Sequence, residues 1–432
     1  MARPLTAHAD HGQAPAADVG PSASIPAPAL RRPYNVRKDP HSNKVADMTR
    51  LCAAALIVIS GGVHAQGADR DKLAFERCAK PAVERGLKFL AAAQQADGGW
   101  PFQDRSDPAL TALVAKCFIQ HPDFGPKNPI TQRAIDLVLS ARQPDGGIYA
   151  PGQGIKNYQT SVCLMALAAA KDPSLNEIIK NAQESLKKDQ WDEDEGYQRD
   201  HVWYGGAGYG DHKRPDLSNT QLMLEALHQS GLPSDDPAFQ KALVFISRSQ
   251  MQSESNDQAF ARGTNDGGFI YSPANNGESK AGAVTVAGAT HLRTYGSMTY
   301  AGFKSLLYAG LSRDDPRVRA AYDWIKNHYT LDENANMPGR QSHEGLYYYY
   351  HVFARALTAW NEDVIVDANG DKHDWRGELC TKLTDLQNPD GSWINPADRW
   401  REGNPYLVTA YAVLALQSAM QYTADAHPTR RP

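Results

Sequence analysis

Acidic and aromatic side chains capable of chemistry gather in a few short stretches. Two aspartates stand just before apolar helical segments, in Asp107-Pro-Ala-Leu-Thr-Ala112 and Pro215-Asp-Leu-Ser-Asn-Thr-Gln-Leu222. A buried carboxyl at such a place can hold a proton for general acid work, provided its neighbours raise its pKa. His201, Trp203, Tyr204, Tyr209, Asp211 and His212 lie in a loop whose Gly205-Gly206-Ala207-Gly208 gives it freedom to close over a site. That loop leads to Asp216. A third stretch, His343-Glu344-Gly-Leu-Tyr347-Tyr348-Tyr-Tyr-His351, offers an acid/base pair in His343 and Glu344, or else a polar loop. Four consecutive tyrosines point in four directions around a helix, so some line an aromatic pocket while others pack between helices with their hydroxyls bonded. Tyr295, at the start of another apolar helix, joins these as a cavity candidate. The acidic run Trp191-Asp-Glu-Asp-Glu195 reads as a cation site at a rim or as a solvated turn.

The elements that must position these residues repeat. A phrase recurs as Gln95-Ala-Asp-Gly-Gly-Trp100, Gln143-Pro-Asp-Gly-Gly-Ile-Tyr149 and Gln387-Asn-Pro-Asp-Gly-Ser-Trp393, with looser copies at Gln190–Tyr197 and Asn265–Phe269. Gly after Asp supplies the positive φ that turns the chain out of a helix. The aromatic residue can pack back on the helix end, and Gln can bond backbone groups between repeats. An amphipathic helix precedes each phrase, near Pro81–Gln94, Ile130–Gln143, Leu175–Gln190, Ala238–Gln250, Arg317–Tyr329 and Asp374–Gln387. A more apolar helix follows: Leu110–Ile119, Tyr158–Ala169, Ser218–Ser230, Gly296–Ala309, Leu346–Trp360 and Leu407–Tyr422. Helices apolar all round must be covered on several sides. Six outer and six inner helices therefore predict an all-α fold, an α/α toroid of six helical hairpins. An open solenoid would need polar end-caps, which are missing. Asp363–Asp371 reads as a small hairpin around Asn369-Gly370 rather than a calcium loop.

The phrases resemble the QW-type repeats of squalene and hopene cyclases and of the wider prenyltransferase and squalene-oxidase repeat group. Pro215–Leu222 resembles the start of an inner cyclase helix, and Thr409-Ala-Tyr-Ala-Val-Leu-Ala-Leu416 the last one. The likeness runs from about residue 80 to 422 and implies the toroid fold with a central ligand cavity. Cyclases of this kind protonate their substrate with a DxDD motif. Here Asp107 is followed by Ala109 and Leu110, and Asp216 by Ser218 and Asn219, so the resemblance does not carry over that chemistry. The Asp and Cys zinc ligands of protein prenyltransferases and the thioester Cys-Gly-Glu-Gln of complement-like toroids are also missing.

A formal net charge of −4 and no basic run in the body of the chain exclude a nucleic-acid binder. With 41% hydrophobic residues the chain can bury a large core. Residues 1–47 carry no apolar periodicity and should not fold. Residues 48–65 read as a signal peptide: Met48-Thr-Arg50, an apolar run from Leu51 to Ile59, and a small-x-small site ending at Ala65. A membrane anchor is the alternative. A linker at 66–79, the toroid at 80–422 and a disordered tail at 423–432 complete the expected organisation. No cysteine or histidine spacing suggests zinc, and neither a metal nor a cofactor is expected. Cys117 and Cys163 read as buried small residues. Cys78 and Cys380 fall on the first and last outer helices, neighbours in a closed ring, where a disulfide is the pairing to look for. The partners left open are a small apolar molecule, a glycan, a membrane surface or another protein. An exported protein of cyclase type holding an isoprenoid in its cavity is the leading expectation; the alternatives are a carbohydrate lyase or hydrolase and a non-catalytic scaffold.

Overall fold

The computed structural model describes residues 77–210, 213–286 and 288–420, all of one compact unit within Ser60–Pro432. The expected leader and signal peptide, residues 66–76 of the linker, Asp211, His212 and the C-terminal tail lie outside the described residues.

Twelve helices are described. The outer ones are α1 (77–92), α3 (Pro129–Ser140), α5 (Asn176–Lys188), α7 (Pro237–Ser249), α9 (Pro316–Asn327) and α11 (Trp375–Asp385). The inner ones are α2 (Pro108–Ile119), α4 (Lys156–Ala169), α6 (Leu217–Gln229), α8 (Gly296–Tyr308), α10 (Leu346–Trp360) and α12 (Pro405–Met420). Each inner helix packs on two inner neighbours, and α12 returns to α2, so the ring is closed. The open solenoid is thereby excluded, and the structure is the α/α toroid expected.

Local chemistry sets the ends of these helices. Asn128-Pro129, Asp236-Pro237 and Asp315-Pro316 start three outer helices, the first residue capping a free N–H and the proline fixing φ where no N–H bond is lost. Inner α2 and α6 begin earlier than apolar periodicity alone suggested, because Asp107 and Asp216 are their N-caps. All twelve residues of α2 are buried, as a helix enclosed by neighbours on every side requires.

The recurring phrase is the fastening between outer helices. In the phrases at Gly98, Gly146, Gly267 and Gly391, and at Gly205, which takes this place beyond the expected copy Gln190–Tyr197 whose own Gly196 touches nothing, the backbone has φ between +79° and +91°. Each presses on a carbonyl of the next outer helix so closely that a Cβ would stand 1.9–2.7 Å from it. Only glycine meets both conditions. The Nε2 groups of Gln94, Gln190, Gln250 and Gln387 donate to the phrase's own glycine carbonyl and to a carbonyl at the start of the next outer helix. In the first phrase this glutamine is Gln94, whereas Gln95 bonds back to Ala93. Gln143 likewise stays within its own phrase. A threonine of the adjoining inner helix (Thr111, Thr160, Thr220, Thr299 or Thr409) accepts the backbone N–H at the phrase's end.

The last phrase closes the ring, with Gly391 against Arg85 and Gln387 bonded to Ala82, both on α1. Cys78 and Cys380 form a disulfide across the same seam, while Cys117 and Cys163 are buried and free. The joint between α9 and α11 has no such phrase. There the hairpin of β7 (Val364–Val366) and β8 (Lys372–Asp374), at the place expected, makes the link through His373 stacked on Tyr329 and the Tyr329 hydroxyl donating to Glu378.

Three further hairpins were not expected. They are β1–β2 (Pro101–Phe102, Arg105–Ser106), β3–β4 (Gln250–Gln252, Asn265–Phe269) and β5–β6 (Ala283–Val286, Ala289–Leu292). Gln250 leaves α7 in extended geometry, and this lets the fourth phrase pair as a strand.

Candidate functional site

The first turns of the six inner helices and the loops before them enclose a cavity of about 440 Å3. Six tyrosines line it: Tyr158, Tyr209, Tyr271, Tyr295, Tyr348 and Tyr411. Leu110, Met298 and Leu407 supply aliphatic wall. Tyrosine offers apolar ring area with one polar tip, so such a wall suits a mainly apolar guest needing few fixed bonds. The tips are partly engaged with one another and with the helices. The Tyr348 hydroxyl accepts from Gln221 Nε2 at 3.0 Å and lies 3.3 Å from Ser218 Oγ.

Three carboxyl groups sit at helix starts around this space. Asp107 caps α2 by accepting from the Leu110 N–H at 2.9 Å, and its other oxygen accepts from Gln159 Nε2 at 2.8 Å. Asp216 caps α6, accepting from the Asn219 N–H and Nδ2, each at 2.9 Å. Burial pushes its carboxyl up to about 6, against the lowering effect of those bonds and of the Tyr271 hydroxyl. Glu402 reaches from the loop before α12 to the start of α10, accepting from the Tyr348 N–H at 2.7 Å and from Asn395 Nδ2 at 2.6 Å. Gly345 leaves α10 without a side-chain cap of its own, and Glu402 supplies one. Its burial also raises its carboxyl above the usual range. At the mouth, Arg399 pairs with Glu344 at 2.9 Å, and Lys280 pairs with Glu278.

Further along the shaft the inner helices carry a charged plug. Glu225 of α6 meets Lys304 of α8 and, at 2.8 Å, Arg355 Nε of α10. Gln229 bridges Glu225 to Lys116 of α2. These cations lie toward the C-terminal ends of the inner helices, where the helix dipoles are negative. One carboxylate among three cations leaves Lys116 poorly balanced. Burial, aided by Arg355, pulls its ammonium down to about 7. A lowered lysine pKa means the fold disfavours the charge. That penalty is full below pH 7 and fades as pH rises toward the unfolded value near 10.5. Lys116→Met should therefore raise stability by roughly 2 kcal/mol at pH 7, with the gain shrinking to nothing by about pH 10. Urea unfolding of both proteins at the two pH values checks this.

Of the side chains singled out in the sequence, Tyr295, Glu344 and Tyr348 line the cavity, and Asp216 is buried at its wall. Tyr347 is buried toward Tyr350, and the His343 carbonyl accepts from Asn395 Nδ2. His201, Trp203 and Tyr204 do not line the cavity. His201 and Trp203 pack with Trp191 and Tyr197, and the Tyr204 hydroxyl donates to Glu193. That packing accounts for His201 and Trp203, while Tyr209 of the same loop lines the cavity. The acidic run is a capping box closed on Asp192 and tied to Lys241. Tyr158, Tyr271, Tyr411, Arg401 and Glu402 escaped sequence reasoning. For Tyr158 and Tyr411 the available signal was their place near an inner-helix start. Away from the cavity, Glu84, His121 and Asp123 bring three ligand-type atoms within 4.8 Å, although His121 Nδ1 already accepts from the Asp123 N–H.

The fold is an α/α toroid of terpene cyclase-like type. In sequence, 88 residues are 36% identical to drimenyl diphosphate synthase from Streptomyces showdoensis, a match spanning 20% of this chain and 15% of that protein. In structure, the chain resembles a variant of the type II terpene cyclase MstE from Scytonema, in complex with its substrate geranylgeranyl dihydroxybenzoate. That match has a TM-score of 0.50 and 13% identity, over 80% of this chain and 98% of the cyclase. The cellobiose 2-epimerase of Spirochaeta thermophila aligns over 80% of this chain and 96% of its own, with 15% identity and a TM-score of 0.49. No family model matches the chain.

Proposed function

We propose that this protein binds a small, mainly apolar molecule of isoprenoid type in its central cavity, and that it works outside the cytoplasm. The observation that carries this reading is the tyrosine-lined space at the inner-helix starts. The cyclase-like fold and the short match to a drimenyl diphosphate synthase support the same ligand class. A Cys78–Cys380 disulfide suits an oxidising compartment and so supports export from a signal peptide at Met48–Ala65.

Binding without cyclase-type protonation is the form of the proposal. An alkene needs a strong acid held protonated, and Asp216 at about 6 is a weak one. The residues after it, Ser218 and Asn219, donate and accept hydrogen bonds but cannot deliver that proton.

Titration calorimetry with farnesol and with cellotetraose tests the reading. The wild-type protein should bind farnesol, and Ser218→Trp, which fills the cavity from α6, should not. Binding of the glycan alone, or farnesol binding that Ser218→Trp leaves intact, would overturn it.

A further inference from the structure

Resting on that reading of the cavity, we infer that its ligand carries a single anionic head group, a carboxylate or a phosphate monoester, which Arg401 receives at the mouth. Three cations stand around the opening: Lys280, Arg399 and Arg401. Two are already neutralised, Lys280 by Glu278 and Arg399 by Glu344. Among the described residues the Arg401 guanidinium has neither an ion pair nor a hydrogen bond; it lies 6.0 Å over the Phe102 ring, which also lines the cavity.

The backbone gives independent support. Arg401 sits in left-handed geometry, φ +67° and ψ 17°, a conformation that costs a long side chain and that glycine or asparagine would take more readily. The loop around it is tied down on both sides, so the geometry is imposed. The Asn395 N–H donates to the Glu402 carbonyl, the Gly403 N–H to Asp398 Oδ1, and Asn404 Nδ2 to Pro101. Arg401 is solvent-exposed at the cavity's rim, and a strained backbone that sets an unpaired cation there is a feature to be explained by what it meets. An anion there gains a charge-assisted, two-pronged partner while its apolar body occupies the space between the tyrosines. A neutral ligand would leave Arg401 unused.

The matched probes are farnesol, farnesoic acid and farnesyl monophosphate, titrated at pH 7.5 and low salt. Wild type should bind both acids at least tenfold more tightly than the alcohol, with the margin narrowing as sodium chloride is added. Farnesoate favoured over the monophosphate assigns a carboxylate head, and the reverse assigns a phosphate. R401Q should lose the tenfold margin, with its affinity for both acids falling to about that for farnesol, and R401K should keep part of it. R401G, freed of the left-handed penalty, should melt no lower than wild type and should show the same loss as R401Q. Equal binding of alcohol and acids by wild type, or a margin that survives R401Q and R401G, overturns the head-group inference and leaves the apolar-ligand reading standing. Binding of none of the three by wild type overturns both.

Discussion

Gly205→Ala should destabilise the ring by about 3 kcal/mol or more, read as a fall in the urea midpoint at unchanged slope. Two separate effects add at this position. The backbone is left-handed, at φ +79°, which a Cβ makes costly by about 1 kcal/mol. The same Cβ would lie 1.9 Å from the Lys241 carbonyl oxygen of the next outer helix, so α5 and α7 would have to separate. Gly196 isolates the first effect. It has φ +82° with nothing within 4 Å of its would-be Cβ, so Gly196→Ala should cost about 1 kcal/mol. Equal losses at the two sites would mean that the glycines serve only as turns, and the account of the phrase as an inter-helix fastening would fail.

Removing the disulfide should have an effect of similar size. Cys78 and Cys380 are 302 residues apart in sequence and join the two ends of the ring. Closing so long a loop restrains the unfolded chain strongly, which places the loss in Cys78→Ser/Cys380→Ser at about 4 kcal/mol. Location distinguishes this change from ordinary core damage. The seam between α1 and α11 retains Gln387 on Ala82 and Gly391 against Arg85. Hydrogen exchange in the double variant should therefore quicken first in residues 77–92 and 375–385, while α8, enclosed on the far side, exchanges as before. Uniform acceleration around the ring would contradict the idea that this seam is the ring's point of closure.

The scaffold was legible in the sequence because two signals coincide in four of the six repeats. An apolar stripe at helical spacing marks the outer helix, and an Asp-Gly turn with an aromatic residue marks its end. The small hairpins were less legible, since stretches such as Ala283–Leu292 are too short and too glycine-broken for alternation to show. The cavity was legible only in part, for a physical reason. Inner helices such as α4 are apolar on nearly every face, so periodicity does not say which side looks inward. Among consecutive tyrosines of α10, Tyr348 reaches the cavity while Tyr349 and Tyr350 turn between helices and donate to the carbonyls of Thr330 and Leu331. No spacing rule separates them. Arg401 gave no signal at all, because its significance lies in a backbone angle and in the pairing of its neighbours.

The same limit explains the loop at His201–Gly210. Its composition suggested a lid, yet His201 and Trp203 interlock with Trp191 and Tyr197, Arg248 holds the His201 carbonyl at 2.7 Å, and of the loop's aromatic residues Tyr209 reaches the cavity wall. Dense aromatic packing and a cavity wall look alike when read as composition. They differ only in which way the side chains face.

Photocrosslinking with a diazirine-bearing farnesyl probe, followed by peptide mapping, tests the central claim most directly. The account predicts labelling concentrated on the cavity tyrosines, chiefly Tyr158, Tyr348 and Tyr411, and competed away by unlabelled farnesol. Labelling scattered over exposed apolar residues such as Val364, Val366 and Leu386, with the cavity peptides unmarked, would contradict it.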